Sequence, residues 1–209
     1  MEHTNNTITL RGTLLQLPVF SHENHGRKFF RFMLEVPRLS GALDTLPIIA
    51  EEQILGQLDP CGGEMVTVVG QIRSHNLRMD GIRRLQVFVF ALSITAEDGE
   101  PINEVSLEGI LCKEPIYRRT PLGREICDVM LAIPRAFHRA DYLPCILWGR
   151  IAQEVATCHT RDTLRIQGRL QSRIYTKLLP DGIQERTTYE ISALTAQIGP
   201  FEDLPSRGQ

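Results

Sequence analysis

A mainly all-β chain made of two tandem copies of one small barrel domain is the fold class this sequence predicts. Three observations predict it. The first is an internal repeat at an offset of 97 residues. The second is a period-two alternation of apolar and polar side chains within each copy. The third is the order of segments in a copy, which reads as three strands, one helix and two strands.

The repeat carries the most weight. Ile8-Thr-Leu-Arg-Gly12 returns as Val105-Ser-Leu-Glu-Gly109, and Met33-Leu-Glu-Val-Pro-Arg38 returns as Met130-Leu-Ala-Ile-Pro-Arg135. Asp44-Thr-Leu-Pro-Ile-Ile49 returns as Asp141-Tyr-Leu-Pro-Cys-Ile146. After a slip of one residue, Val68-Val-Gly-Gln-Ile-Arg-Ser74 returns as Ile166-Gln-Gly-Arg-Leu-Gln-Ser172. Chance imitates one such block, not all of them in order. A period near 97 residues is too long for a solenoid and right for a small domain. The copies span residues 1–97 and 103–199, with a polar junction at Ala96-Glu-Asp-Gly-Glu-Pro101 and a short tail over 200–209.

Within the second copy the elements follow in order. Val105, Leu107 and Gly109 alternate with Glu104, Ser106 and Glu108 in the first strand. A turn signal at Thr120-Pro-Leu-Gly123 precedes the second, where Cys127, Val129, Leu131 and Ile133 alternate with Asp128, Met130 and Ala132. The third strand is Tyr142 to Trp148. Gly149 to Cys158 then reads as a helix with Ile151, Val155 and Cys158 on one face. Two further strands flank Pro180-Asp-Gly182. This is the order of an OB barrel, so two tandem five-stranded OB-fold barrels are expected, each with a short helix. Pro134 and Pro144 belong at strand ends or on an edge, because proline cannot serve a central ladder.

Composition excludes several classes. At 42% hydrophobic and 23% charged the chain is ordinary for a soluble globular protein. No apolar run approaches the roughly 20 residues of a membrane helix, and the N-terminus lacks a signal pattern. A cytoplasmic protein without a membrane partner is the expectation. The five cysteines, Cys61, Cys112, Cys127, Cys145 and Cys158, form no CxxC pair and read as reduced core thiols. Cys158 beside His159 is too little for zinc, so neither metal nor cofactor is expected. There is no GxxxxGK[ST] loop, HExxH or nucleophile elbow, which argues against an enzyme.

The net charge of −2 leaves room for nucleic acid, because binding depends on a local groove. Residues 1–102 carry 9 Lys/Arg against 12 Asp/Glu, and residues 103–199 carry 13 against 11. The second half is favoured for phosphates. In the third strand Leu143, Cys145 and Leu147 share one parity, which places Tyr142 and Trp148 together outside. In the fourth, Leu170, Ser172 and Ile174 share a parity opposite to Arg169, Gln171, Arg173 and Tyr175. Rings interleaved with arginines suit single-stranded nucleic acid, since a base of any identity stacks and a guanidinium reaches phosphate. The same rings fit a domain or subunit interface equally well.

Residues 103–195 resemble the bacterial single-stranded DNA-binding protein family. The resemblance is carried by Asn103-Glu-Val-Ser-Leu-Glu-Gly109, Glu114-Pro-Ile-Tyr-Arg-Arg-Thr-Pro-Leu-Gly123, Leu131-Ala-Ile-Pro-Arg135, Asp141 to Val155, and Ile166 to Tyr175. It implies base stacking at Tyr142, Trp148 and Tyr175, and basic side chains along the strand's path at Arg118, Arg150 and Arg173. With Arg135, Arg169 and Gln171 these make the expected DNA site. The implied function is protection of single-stranded DNA in replication, recombination or repair. Family members usually assemble four OB domains, so two per chain point to a homodimer. A typical member carries a long acidic-tipped tail that recruits repair enzymes. This chain stops soon after Gly199-Pro-Phe-Glu-Asp-Leu-Pro205, and that recruitment is not expected.

The first copy reads as degenerate. Thr45 and Glu51 stand where Tyr142 and Trp148 do, and Tyr175 aligns near Leu77. Phe32 is expected in the core; Arg73, Arg78, Arg83 and Arg84 fit a phosphate track or a solvated hairpin. A protein-contact assembly module is the competing reading, and RNA is an alternative ligand.

Overall fold

The structure, a computed structural model, describes residues 5–56, 62–79, 82–179 and 182–201. The first copy runs β1 (Asn6–Leu14), β2 (Val19–Asn24), β3 (Arg27–Pro37), β4 (Leu43–Glu51), α1 (Glu52–Leu55), β5 (Met65–Met79) and β6 (Ile82–Ala96). The second runs β7 (Ile102–Leu111), β8 (Ile116–Arg119), β9 (Glu125–Arg135), β10 (Arg139–Trp148), α2 (Gly149–Val155), β11 (Thr163–Leu179) and β12 (Gly182–Ile198).

Five strands of each copy close into a barrel. β1 pairs with both β3 and β5, β3 with β4, β4 in parallel with β6, and β6 with β5. The second copy repeats this with β7, β9, β10, β12 and β11. Beyond the expected five, a short edge strand (β2, β8) hangs on the outer side of β3 and β9.

Alternation fills the barrels. Phe32, Leu34 and Val36 of β3 face Leu46, Ile48 and Ala50 of β4, all at most 2% exposed. In β10 Leu143, Cys145 and Leu147 are buried as their parity predicts. The helix is shorter than the pattern suggested, but Ala152, Val155 and Cys158 close the barrel end. Cys127, Cys145 and Cys158 are buried free thiols and Cys112 is half-buried; burial pushes Cys127 up to about 11. Cys61 lies outside the described residues. Pro144 sits inside β10, opposite Met130, but the β12 ladder begins only at Cys145, so the proline occupies a one-sided stretch of strand. Pro47 repeats this in β4, where β6 joins at Ile48.

Two glycine positions recur where strands cross closely. A Cβ on Gly12 would lie 2.2 Å from Glu35 O, and one on Gly70 2.3 Å from Phe90 O. In the second barrel a Cβ on Gly168 would meet Ser192 O at 2.2 Å, and one on Gly109 would meet Ile133 Cδ1 at 2.5 Å and Ala132 O at 2.9 Å. Gly70 and Gly168 also mark the register shifts where β5 and β11 bend.

The barrels join through β1 and β7, which pair antiparallel with Ile8 opposite Val105. Those two residues are equivalent in the repeat, so a local pseudo-dyad runs through the seam and twelve strands form one sheet. Asn6 and Asn103 make the change of partner possible. The Asn6 amide donates to Ile72 O (2.7 Å) and accepts from Ile72 N (2.9 Å), replacing a ladder step while its own main chain pairs across the seam. Asn103 does the same for Leu170, at 2.7 and 2.9 Å.

A second pair of staples crosses between the barrels. Asp44, fully buried, accepts from Arg38 Nε (2.7 Å) and from Ser172 N (2.7 Å) and Oγ (3.0 Å) of the other barrel. Its equivalent Asp141, also fully buried, accepts from Ser74 N (2.8 Å), Arg73 Nη1 (3.0 Å) and Arg135 Nη1 (3.4 Å). Among the described residues no helix is long and apolar enough to cross a membrane.

Candidate nucleic-acid interface

On β10 the outward parity holds for Tyr142, which is 45% exposed, and Trp148, which is half-buried. Trp148 Nε1 donates to Ser192 Oγ at 3.1 Å, fixing the indole against β12. Ile146 lies between them on the same parity yet is only 4% exposed, so this stretch of the face is already covered. Tyr175 stands 41% exposed on β11, which at 17 residues outruns the barrel and carries Ile174 into solvent as well.

Gln171 departs from the expected exposure. It is 7% exposed and donates to Glu190 Oε1 at 2.9 Å, directly across the β11–β12 ladder. A buried amide beside a buried carboxylate is satisfied within the fold and is not presented to a ligand. Arg135 also departs from the expected surface. It is held at the barrel boundary on Asp141, where burial lowers its pKa, with Asp141 opposing that shift. Arg169 is half-buried, its Nε shielded and without a hydrogen-bond partner among the described residues.

The remaining cations are accessible. Arg118 pairs with Asp128 (2.6 Å), Arg150 with Glu154 one helical turn on (3.0 Å), and Arg173 loosely with Glu190 (3.9 Å). Exposed pairs of this kind are worth about 0.2–1 kcal/mol, so a phosphate can displace the carboxylate at little cost. Side-chain exposures of 44%, 88% and 53% leave all three reachable.

Phe137 was not singled out by sequence. It tips the β9–β10 hairpin, is 90% exposed, and has a left-handed backbone (φ 60°), as does His138 (φ 54°). Arg135 and Arg139 flank it. The left-handed backbone at both positions is that of the tight β9–β10 turn, which carries the ring into solvent. Its sequence signal was weak, since neither strand parity nor the repeat reaches a turn.

The predicted rings do not share one concavity. Tyr175 lines a long groove whose other walls belong mainly to the first barrel, and neither Tyr142 nor Trp148 lines it. On the first barrel Thr45 and Glu51 occupy the positions of Tyr142 and Trp148, and Glu51 is bonded to Arg27. Phe32 is core, as expected. The side chains of Arg78 and Arg83 lie outside the described residues.

Comparison with known proteins gives a consistent picture. The model of the single-strand binding protein family matches residues 102–198. The single-stranded DNA-binding protein B of Bacillus subtilis is 36% identical over 80 residues, which cover 35% of this chain and 71% of that protein. The single-stranded DNA-binding protein A of the same organism is 37% identical over 81 residues, covering 35% of this chain and 47% of that protein. The chain thus spans about half the length of that second relative. The wild-type single-stranded DNA binding protein from Thermus aquaticus superposes with a TM-score of 0.76 at 22% identity. That match covers 97% of this chain and 98% of the other, so the likeness in fold extends over both barrels.

Proposed function

The chain belongs to the single-strand binding protein family, and from that premise we propose that it binds single-stranded DNA with little sequence preference. The role is passive protection during replication, recombination or repair in the cytoplasm, without catalysis. The observation that carries this reading is a set of exposed rings, Tyr142, Tyr175 and Phe137, alongside arginines held only by weak exposed ion pairs. Bases stack on the rings and on Trp148 where its half-buried face is open. Arg118, Arg150 and Arg173 meet the phosphates. Sequence tolerance follows because every base has a π-face.

Two barrels per chain favour a homodimer with four OB domains, to be checked by mass in solution. Binding is tested by titrating oligo-dT while following the fluorescence of the sole tryptophan, Trp148, at two salt concentrations. Quenching that weakens with salt is expected, with a log–log slope of roughly −0.7 per phosphate contacted. Absence of binding at either salt overturns this reading in favour of a protein-contact assembly module.

A further inference from the structure

The first barrel has lost rings at the positions equivalent to Tyr142 and Trp148, yet it is not a bare face. On the outer side of its β5–β6 ladder Arg73 pairs with Phe88 and Gln71 with Phe90. The equivalent ladder of the second barrel pairs Gln171 with Glu190 and Arg169 with Ser192. Two phenylalanines thus stand where the second barrel has Glu190 and Ser192. Arg31 of β3 likewise stands where the repeat puts Asp128. Phe29 extends the set: His22 stacks on it (4.8 Å between centroids, 12° between planes), and Phe90 lies 6.1 Å beyond. His75 meets Phe88 edge-on at 5.5 Å.

His22, Phe29, Arg31, Arg73, Phe88 and Phe90 line the groove that also holds Tyr175. Among the described residues its lining contains five arginines and no carboxylate, in a chain whose formal net charge is −2. Arg73 and Arg135 are shared with Asp141. Arg31 and Arg84 make no ion pair among the described residues, and Arg84 Nε is shielded with no hydrogen-bond partner. Arg186, beside Tyr175 in the ladder, bonds only the Gln184 amide oxygen among the described residues. An unpartnered guanidinium in a ring-lined channel is completed by an anion attached to a flat group.

We propose that the first barrel carries its own single-stranded DNA track, with rings moved from β4 to β3 and β6. In this track Phe88, Phe90 and His22, the last seated on the buried Phe29, receive bases. Arg31 and Arg84 receive phosphates, and the track runs on to Tyr175 and Arg186 of the second barrel. The inference rests on the single-stranded DNA reading above and assigns a binding role to the half that sequence reads as degenerate.

The test uses the full chain and fluorescent oligo-dT of two lengths, roughly 8 and roughly 30 nucleotides, since one OB fold takes about 4–16. Arg31→Glu and Phe88→Ala are each expected to weaken the long oligonucleotide about tenfold, with Arg31→Glu also lowering the salt slope by about 0.7 or more. Phe88→Leu keeps the apolar volume without the ring and answers the question if Phe88→Ala does not fold. If the unaltered chain binds neither length, the single-stranded DNA reading itself fails. If it binds both while Arg31→Glu and Phe88→Leu match it at every salt and length, the first-barrel track is overturned.

Discussion

The two barrels share a backbone and differ in their outer faces. Both keep an asparagine that completes the β5 or β11 ladder, a buried aspartate that grips the neighbour, and a glycine at each close crossing. On the outside the second barrel sets Tyr142 and Trp148 on β10 beside Ser192 and Glu190 of β12. The first sets Thr45 and Glu51 on β4 beside Phe88 and Phe90 of β6. Positions that satisfy buried main-chain groups are held by both copies, because losing them leaves donors unpaired at a cost of about 1–3 kcal/mol each. Surface rings face no such penalty, and they have changed strands.

The largest blow to this comparison is aimed at the staples. Asp44→Ala strips Arg38 and Ser172 of their acceptor, and Asp141→Ala strips Arg73, Arg135 and Ser74. Each should destabilise the chain by about 3–5 kcal/mol in denaturant unfolding, as removing one partner of a buried ion pair does. The two need not match, for Asp141 holds two guanidiniums and Asp44 one. A smaller effect separates shared from private features. Asn6→Ala and Asn103→Ala should each cost about 2 kcal/mol, since the Ile72 or Leu170 main chain loses both bonds. Near-equal losses confirm equivalence, whereas a loss below about 0.5 kcal/mol at either site breaks it. The smallest effect concerns the faces. Tyr142→Ala should weaken oligo-dT binding by about 1 kcal/mol while leaving unfolding almost unchanged. Thr45→Ala, at the equivalent position, should leave binding unaltered. Equal effects on binding would show that the difference between these faces is not functional.

Most of the fold was legible because it is written in periodicities. The offset repeat, the β10 alternation and the turn before β9 each depend on neighbours close in sequence. The staples were half legible. Asp44 and Asp141 align in the repeat, but an aligned residue does not announce that its carboxylate reaches a serine more than 60 residues away. Gln171 keeps its outward parity, but parity does not say whether that side is covered: Gln171 and its ladder partner Glu190 are both buried there and bonded to each other. The charge count pointed to the second half because sums over 97 residues hide where charge collects. Glu190 and Asp128 sit on the second barrel's face, while the groove along the first has no carboxylate among the described residues of its lining. Phe88 and Phe90 alternate with buried Val87 and Val89, which was visible, yet only the ladder shows them beside Arg73 and Gln71.

The β1–β7 seam joins two halves whose main chains are related by a dyad and whose side chains are not. In a true two-fold dimer, a ligand crossing the axis meets the same surroundings whichever end enters first. Here one end lies among phenylalanines and the other among tyrosines, because a single chain carries both. A polymer with a chemical direction, laid across this seam, therefore has two inequivalent orientations. Fusion of the copies gives the molecule the means to tell head from tail.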